Sequence, residues 1–465
     1  MIDTKALRSR VLDLAIQGRL TEQLESDGTA EELYQQIQTE KQRLVKEGKI
    51  KKEKPLPEIK PEEVPFEIPK SWKWVRMGAV YSFNPSVEAD ENTDAAFIPM
   101  ERISAGYKRD FSFEVQKWSV ASKNHTKFSN GDVAFAKITP CFENRKSFVA
   151  EGLPNAIGGG TTELIILRQK MIFAYYTYLL IINQRFIDAG VSTYKGTAGQ
   201  QRVKNDALKQ YSIPLPPLAE QKRIVSRVEE IFRLLDTIDE AQKQYAMDVG
   251  SLKAKLITAG IQGKLTEQLD SDGTAEELYQ QIQEEKQRLI KEGKIKKEKP
   301  LPEIKPEEVP FEIPGNWKWV RLGDISNTIW AGRDKPDDFS TEKNASHSVP
   351  VVANGVANEG ILGYTAKATA PSNSITVAGR GTIGFSVYRT YEYCPIVRLI
   401  VIEQSIQIDP KYLQYFLMHM PASSVGSSIP QLTVPMIRPK LIPLPPLAEQ
   451  KRIAEKLDAV LGALS

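Results

Sequence analysis

The chain is poor in the side chains on which metal and redox sites depend. It has only two cysteines, Cys141 and Cys394, and three histidines, His125, His347 and His419. Two isolated cysteines form neither a disulfide framework nor a zinc site, so we expect reduced, buried thiols. The histidines have no metal-ligand spacing, and no Walker loop, glycine-rich dinucleotide turn or nucleophile elbow is present. The sequence therefore offers no recognisable catalytic centre.

The sequence also lacks a long hydrophobic run and a strong charge bias. The longest apolar stretch, 171–182, is too short to span a bilayer and contains three tyrosines, which favours a buried helix. The first residues form no apolar signal core, so we expect a cytoplasmic protein with no membrane partner. A formal net charge of +3 permits nucleic-acid binding but is weaker than the bias of a dedicated DNA-binding protein. Any DNA contact must come from local basic patches or be shared with partners.

The most informative feature that is present is a long internal repeat. Residues 17–78 recur as 262–323 with only seven differences in 62 positions. The twelve residues IPLPPLAEQKRI at 213–224 recur unchanged at 442–453. The first pair is spaced by 245 residues and the second by 229, so the segments between these constant frames differ in length. This layout predicts two different recognition surfaces on one scaffold.

A heptad pattern predicts a long central helix from about residue 218 to 259. Its apolar positions are separated by steps of four and three, with only Gln242 interrupting: Ile224, Val228, Ile231, Leu235, Ile238, Tyr245, Val249, Leu252 and Leu256. The C-terminal segment repeats the first half of this pattern, and the N-terminal segment repeats the second half. We expect this split helix to pack antiparallel against the intact one, with the chain ends close together, because the apolar stripe would otherwise face water.

A shorter helix is predicted in each copy of the repeat. Capping boxes begin it and a glycine ends it, at Thr29, Glu32 and Gly48 and at Thr274, Glu277 and Gly293. The basic run 49–54, repeated at 294–299, is better explained as a solvated face, with phosphate contact as the alternative. Residues 55–69 contain five prolines and predict an extended tether. Paired tryptophans are expected to anchor the next strand by core packing: Trp72, Trp74, Trp317 and Trp319.

The two inserts, 79–200 and 324–429, each predict an α+β domain. In the first, β-type runs at 132–136, 147–150 and 162–167 precede a helix over 171–187. In the second, runs at 348–352, 374–378, 384–388 and 396–401 precede a helix over 410–420. The elements follow the same order although the sequences do not align well. The predicted fold class is therefore α+β, with two similar domains joined by long antiparallel coiled-coil helices in a pseudo-twofold arrangement.

Polar loops between these strands carry side chains that can read DNA. Arg, Asn and Gln can pair bidentately with base edges, and Lys and Arg also contact phosphates. The candidate DNA-binding residues of the first insert are Lys137, Thr139, Asn144, Arg145, Lys146, Lys195, Gln200, Gln201 and Arg202. Those of the second insert are Arg333, Lys335, Arg380, Thr382 and Gln431. Loops of this kind occur on most soluble domains, so the pattern alone is weak support.

Several motifs closely resemble the specificity subunit of type I restriction–modification systems. They are the doubled frame at 213–224 and 442–453, the entry motif Ile-Pro-x-x-Trp-x-Trp-Val-Arg-x-Gly at 68–78, and the run 131–146. The resemblance covers essentially the whole chain. It implies that each insert is a target recognition domain that reads one half of a bipartite site in double-stranded DNA.

The resemblance also implies partners. The helical regions would set the spacing between the half-sites and dock methyltransferase subunits, which restriction–translocase subunits join. This subunit would have no catalytic residue, metal or cofactor of its own, because S-adenosylmethionine, ATP and Mg would belong to the partners. The implied domains are an N-terminal helical region, a first recognition domain, a central helical region, a second recognition domain and a C-terminal helix, at 1–54, 55–217, 218–299, 300–446 and 447–465.

One departure and two rival functions remain. The family often ends each recognition domain with a Gly-x-x-Gln-like turn, which the first insert has at 199–202. The second insert has Ser-Ile-Pro-Gln at 428–431, so only Gln431 carries over. The first rival is a coiled-coil scaffold whose inserts bind proteins or peptides and read no DNA. The second is an enzyme whose site is hidden in the inserts.

Overall fold

The computed structural model describes residues 1–48, 50, 55–196, 200–419 and 431–464. The chain divides into two compact units, 1–243 and 244–465. Each unit contains one insert and is described by itself.

Among its described residues, the first unit has three sheets and several helices. Its helices are α1 (Thr4–Ile16), α2 (Ala30–Lys46), α3 (Met77–Val80), α4 (Trp118–Ala121), α5 (Ala174–Ile182), α6 (Gln184–Val191), α7 (Asn205–Gln210) and the first part of α8 (Leu218–Ile261). Its strands are β1 (Lys73–Arg76), β2 (Ser82–Phe83), β3 (Asp94–Ile98), β4 (Glu114–Lys117), β5 (Thr126–Ser129), β6 (Val133–Ala136), β7 (Ser147–Val149), β8 (Ile157–Gly160), β9 (Leu164–Arg168) and β10 (Ser212–Leu215). The sheet orders are β1-β10, β2-β9-β6-β7 and β4-β3-β8-β5, and within the last sheet β3 and β8 are parallel.

The second unit has a similar topology, except that its third sheet has three strands where the first unit has four. Its helices are the remainder of α8, α9 (Ala275–Lys291), α10 (Leu322–Ile325), α11 (Pro410–His419), α12 (Val434–Ile437) and α13 (Leu447–Ala463). Its strands are β11 (Lys318–Arg321), β12 (Ser326–Ala331), β13 (Val349–Val352), β14 (Ile361–Thr365), β15 (Ser374–Val377), β16 (Ser386–Arg389), β17 (Cys394–Pro395), β18 (Ile400–Gln404) and β19 (Leu441–Leu444). The sheet orders are β11-β19, β12-β18-β15-β16 and β14-β13-β17. The prediction of two similar α+β domains with long helices is confirmed.

In the first unit, α1 packs antiparallel against α8, as predicted. Leu12 and Ile16, late in α1, share a core with Ile224, early in α8. Arg8 lies one turn earlier and forms ion pairs with Asp236 and Asp239, the latter at 2.8 Å. Only 7% of Arg8 is exposed, so these two carboxylates compensate a nearly buried charge.

In the second unit, α13 packs against the end of α8. Ile257 and Ile453 belong to one core, and a Cβ on Gly260 would lie 3.1 Å from Ile453, so glycine allows this close approach. The predicted apolar stripe of α8 is not buried throughout, because Tyr245 is 65% and Leu252 45% exposed. The proximity of the two chain ends stays a prediction.

The repeated motif 218–223 fastens α8 to the rest of the first unit. The carboxylate of Glu220, only 1% exposed, accepts a hydrogen bond from the indole of Trp72 at 2.7 Å. Burial raises the pKa of Glu220, while the Trp72 donor favours its ionised form. The Gln221 side chain accepts from the amide of Phe173 at 2.9 Å, and Arg223 forms an ion pair with Asp27. These bonds connect the helix to the repeat frame and to the start of α5.

The same bonds recur in the second unit. Glu449 accepts from the Trp317 indole at 2.8 Å, and Gln450 accepts from the amide of Asp409 at 2.9 Å. Arg452 forms the ion pair with Asp272 that Arg223 forms with Asp27. This shared network explains in physical terms why the motif recurs unchanged.

Two sequence-based elements are wrong in extent. The single helix predicted over 171–187 is two helices, because Asn183 has an extended ψ of 143° and its side chain caps α6 by accepting from the amide of Arg185. The strand predicted over 396–401 begins only at Ile400, because residues 397 and 398 have positive φ. The helix predicted over 410–420 is described to His419, and Met420 lies outside the described residues.

The predicted ends of the two shorter helices are confirmed. Both capping boxes are present, and Gly48 and Gly293 have a φ of 71°. The basic run 49–54 lies outside the described residues except for Ile50. In the second copy, the five charged residues of 294–299 are all exposed, as expected for a solvated face. In both copies the structural details thus follow from the residue types.

The proline-rich segment 55–69, predicted to be an extended tether, is fastened to the first unit by hydrogen bonds from Arg76. It has one 3₁₀ turn, Pro61–Glu63, and otherwise lacks regular structure. The guanidinium of Arg76 donates to the carbonyls of Pro57 and Glu58 at 3.2 and 2.9 Å and forms an ion pair with Glu63. A nearly buried arginine therefore holds the segment against the first strand of the domain.

The two tryptophans of the second copy provide a matched test of the buried network. Trp317→Phe removes the donor to buried Glu449, whereas the buried indole N–H of Trp319 has no hydrogen-bond partner among the described residues. We expect Trp317→Phe to lower the free energy of unfolding by about 1–3 kcal/mol more than Trp319→Phe. Urea-induced unfolding of the two variants measures the difference, and equal losses would contradict the assigned role of the bond.

Candidate nucleic-acid interface

In the first unit, three polar segments that are distant in sequence meet where β6 ends and β9 begins. The amide of Lys137 donates to the carbonyl of Glu163 at 2.8 Å, and the amide of Val203 donates to the carbonyl of Lys137 at 2.9 Å. The amide of Thr139 donates to the carbonyl of Gln201 at 3.0 Å. The sheet register thus brings the predicted loops 137–146 and 195–202 together, and it adds Glu163 to them.

Glu163 and Arg202 form a two-pronged ion pair at the centre of this surface. The Nε and a terminal nitrogen of Arg202 donate to the two carboxylate oxygens at 2.9 and 2.8 Å. Arg202 keeps the pKa of Glu163 below its ordinary value. The Arg202 side chain is nevertheless 45% exposed, so it can still face a ligand. Sequence reasoning missed Glu163 because a carboxylate at the start of a strand gives no signal of its own.

More positive charge lies beside this pair. Lys195 and Gln200 are exposed, Gln201 is half-buried, and Lys195 is paired through its backbone with Arg202. The neighbouring Lys195 ammonium lowers the pKa of Lys204, an exposed lysine that the sequence analysis did not single out. Close like charges of this kind favour an anionic ligand.

The remaining candidates of the first unit have different environments. Asn144 is exposed, and the Thr139 hydroxyl donates to Glu143 at 2.6 Å. Arg145 stacks on the ring of Tyr107 and donates to a main-chain carbonyl at 2.8 Å, and Lys146 donates to another carbonyl at 2.8 Å. Arg145 and Lys146 are therefore engaged in holding the loop.

In the second unit, the corresponding surface is built from five segments. The amide of Gly379 donates to the side-chain oxygen of Asn354 at 2.8 Å, and the Asn354 amide group donates to the carbonyl of Val397 at 2.9 Å. The amide of Val397 donates to the carbonyl of Arg333 at 2.8 Å. Arg380, one residue on, donates to the Gln431 side chain at 3.4 Å. Predicted residues from three separate loops therefore lie together.

The other candidates of the second unit lie at the edges of this surface. Thr382 is exposed in the turn after Arg380, and Lys335 is exposed with its ammonium 3.6 Å from the ring centre of Phe339. Sequence reasoning missed Asn354 and Arg398, the latter because it was assigned to a strand.

The backbone registers make the two surfaces equivalent position by position. The amide of Leu432 donates to the carbonyl of Gly379 as that of Val203 donates to Lys137. Lys137 thus corresponds to Gly379, and Gln431 occupies the place of Arg202. Counting back from Ala136, which faces Leu164, and from Val377, which faces Ile400, puts Arg398 at the position of Glu163. The backbone there differs, because Arg398 has a positive φ outside β18 and the Gly379 amide donates to the Asn354 side chain. The same framework therefore presents unlike side chains.

The described residues show no sign of a metal centre or of a membrane span. No group of three or more His, Cys, Asp or Glu side chains among them could hold a metal ion. No helix in the described ranges is both long enough and apolar enough to cross a membrane. Cys394 is buried and Cys141 half-buried, and both are free thiols.

The chain matches the family model described as the type I restriction modification DNA specificity domain, at residues 69–245 and 314–465. These two regions include all the candidate residues described above. The specificity subunit of the type I restriction enzyme EcoAI from Escherichia coli is 32% identical, over 98% of this chain and 89% of that protein. The EcoEI specificity subunit, also from Escherichia coli, is 36% identical over 70% of this chain and 63% of its own length.

Solved structures show a similar fold. The HsdS subunit from Thermoanaerobacter tengcongensis has a TM-score of 0.51 and 20% identity, covering 86% of this chain and 93% of that one. A chain from a structure of complex assembly and conformational transition in the type I R-M system has a TM-score of 0.61 and 21% identity, with 86% and 92% coverage. At these identities the likeness concerns the fold alone.

If the Glu163–Arg202 pair serves a ligand, it should matter little for folding. Glu163→Gln should lower the unfolding midpoint only slightly at pH 7, because the Arg202 side chain is 45% exposed and solvent weakens the pair. Asp132→Asn should instead cost at least about 2 kcal/mol, because Asp132 is 1% exposed and accepts from Arg168 and from the amide of Ser129. Thermal unfolding of both variants tests this contrast, and a comparable loss for Glu163→Gln would assign the pair to the fold.

Proposed function

Because this chain belongs to the family of type I restriction–modification DNA specificity subunits, we propose that each of its two units reads one half of a bipartite site in double-stranded DNA. The chain itself is a non-catalytic subunit. Its role is to select the sequence on which partner subunits act.

One observation supports this proposal above the others. The two surfaces lie at the ends of corresponding strands, β6 and β9 in the first unit and β15 and β18 in the second. They differ in charge at matching positions. Lys137 is matched by Gly379, Glu163 by Arg398 and Arg202 by Gln431. A fixed framework with exchanged side chains is what two unlike half-sites require, because base edges are distinguished by donor and acceptor patterns.

The composition of these surfaces fits duplex DNA. Lysines and arginines such as Lys195, Lys204 and Arg333 can neutralise phosphates, and this attraction is independent of sequence. Side chains with two hydrogen-bonding groups, such as Gln200, Gln431 and Arg398, can add base readout in the major groove. Because the net charge of this chain is only +3, we expect partner subunits to supply part of the positive charge that contacts the DNA phosphates.

We further propose that the partners are methyltransferase subunits docked on the helical regions, with restriction–translocase subunits joining them. S-adenosylmethionine, ATP and Mg would then bind to those partners and not to this chain. In this proposal the 44-residue helix α8 determines the number of unspecified base pairs between the half-sites.

The rival function, a coiled-coil scaffold with protein- or peptide-binding inserts, is not favoured. The matched family model describes a DNA specificity domain, and it covers both inserts. An enzyme hidden in the inserts has no support from a metal centre, because no group of three or more His, Cys, Asp or Glu among the described residues could hold a metal ion.

The direct test is methylome sequencing of a host with and without this gene. We expect a bipartite methylated-adenine motif that disappears when the gene is deleted. Exchanging residues 79–200 for another insert should change only one half of that motif, because each unit has its own reading surface. Persistence of the motif after deletion would reject the proposal, and a change in both halves would reject modular reading.

The proposed role of α8 has its own test. Inserting one heptad in register into α8, together with the matching heptad in the split helix, should lengthen the spacer while both half-sites remain the same. The same methylome measurement reports both quantities. An unchanged spacer in a complex that still methylates would show that the helix does not set the distance.

A further inference from the structure

Two adjacent residues of the second unit have a backbone conformation that side-chain-bearing residues rarely adopt. The φ angles are 52° at Val397 and 59° at Arg398. A β-branched residue in the left-handed region is uncommon, and such residues persist only where their surroundings impose the conformation, often at functional sites. Here the amide of Val397 donates to Arg333, its carbonyl accepts from Asn354, and the amide of Arg398 donates to the carbonyl of Gly332 at 3.2 Å.

The side chains on this turn face solvent. Val397 is 47% exposed, and Arg398 is exposed with no hydrogen bond or ion pair from its guanidinium to any residue in the described ranges. Arg389 of the same unit shows the contrasting arrangement, because it is 1% exposed and binds Tyr391 and Glu359. An arginine that serves the fold is thus satisfied internally, whereas Arg398 has five donors available to a ligand.

Comparing the two units shows how the charge environment of Arg398 differs from that of its counterpart. Its counterpart Glu163 forms an ion pair with Arg202, so in the first unit these two charges neutralise each other. In the second unit Gln431 takes the place of Arg202 and no carboxylate takes the place of Glu163. The charge at this position is therefore reversed, and it lies on the surface that also contains Arg333 and Arg380.

We propose that Arg398 reads a guanine in the half-site of the second unit, with Val397 packed against the neighbouring base. This proposal rests on the function proposed above. In the major groove guanine presents two acceptors, N7 and O6, which match the guanidinium fork, and no other base presents that pair. A turn that is held rigid before binding lowers the entropy lost on contact. The exposed methyl groups of Val397 suit the methyl group of a thymine.

The experiment uses the full-length chain coexpressed with its methyltransferase subunits, and it reads the methylated motif by methylome sequencing. Arg398→Ala and Arg398→Lys are compared with the parent, and Glu163→Gln is the matched variant at the equivalent position of the first unit. Copurification of each variant with its partners verifies that the complex has assembled. Arg398→Lys keeps the positive charge but loses the two parallel N–H donors of the guanidinium. It therefore separates base reading from phosphate contact.

We expect Arg398→Ala and Arg398→Lys to reduce methylation of the parent motif by about 10- to 100-fold. A guanine position of one half-site should become degenerate, while the other half-site stays the same. Glu163→Gln should leave that guanine position strict, and a relaxed guanine there would overturn the assignment of Arg398 to its own half-site.

Two other outcomes would overturn the proposal. A uniform loss with Arg398→Ala and full activity with Arg398→Lys would make Arg398 a phosphate contact, and an unchanged motif in both variants would remove it from the interface. If the parent complex methylated no bipartite motif, the function proposed above would be rejected. Failure of that function can therefore be distinguished from failure of the Arg398 proposal.

Discussion

The structure depends on a carboxylate that is buried at the start of a helix and satisfied by an indole. Glu220 on α8 accepts from Trp72, and Glu449 on α13 accepts from Trp317, at nearly equal distances. A buried carboxylate without donors would be costly, so each glutamate requires its tryptophan, which immediately precedes the first strand of a recognition domain. The adjoining glutamine binds a main-chain amide at the start of another helix of the same unit, which fixes the domain and the helix together.

This requirement explains the division of the chain into constant and variable parts. The frame residues satisfy one another, so few substitutions are tolerated in either copy without leaving a buried polar group unpaired. Several side chains at the strand ends, such as Lys195 and Arg398, are exposed and are not part of this buried network, although Arg145, Lys146 and Asn354 do hold their loops. At corresponding positions the first unit has Glu163 and Lys137, and the second has Arg398 and Gly379. Recognition can therefore differ between units whose folds are the same.

The residues that follow simple rules were predictable. The heptad pattern gave α8 within two residues of its observed end, and the capping boxes marked the starts of α2 and α9. Elsewhere a local pattern was overridden. The segment 171–187 was predicted as one helix, but Asn183 breaks it because its side chain caps the second segment and also binds Asp13. The proline-rich segment 55–69 reads as a tether, but Arg76, an unremarkable arginine in sequence, fastens it through main-chain carbonyls.

By itself the sequence determined the two frames, the long helix, the order of elements and the family, because repeats, periodicity and caps act over short distances along the chain. It also supplied most of the polar residues of both surfaces, although as separate loops. Only the tertiary structure decided which of them meet, because strand pairing joins residues far apart in sequence. It turned Arg145 and Lys146 toward main-chain carbonyls, paired Glu163 with Arg202, and left Arg398 exposed on a turn that local propensity alone does not favour.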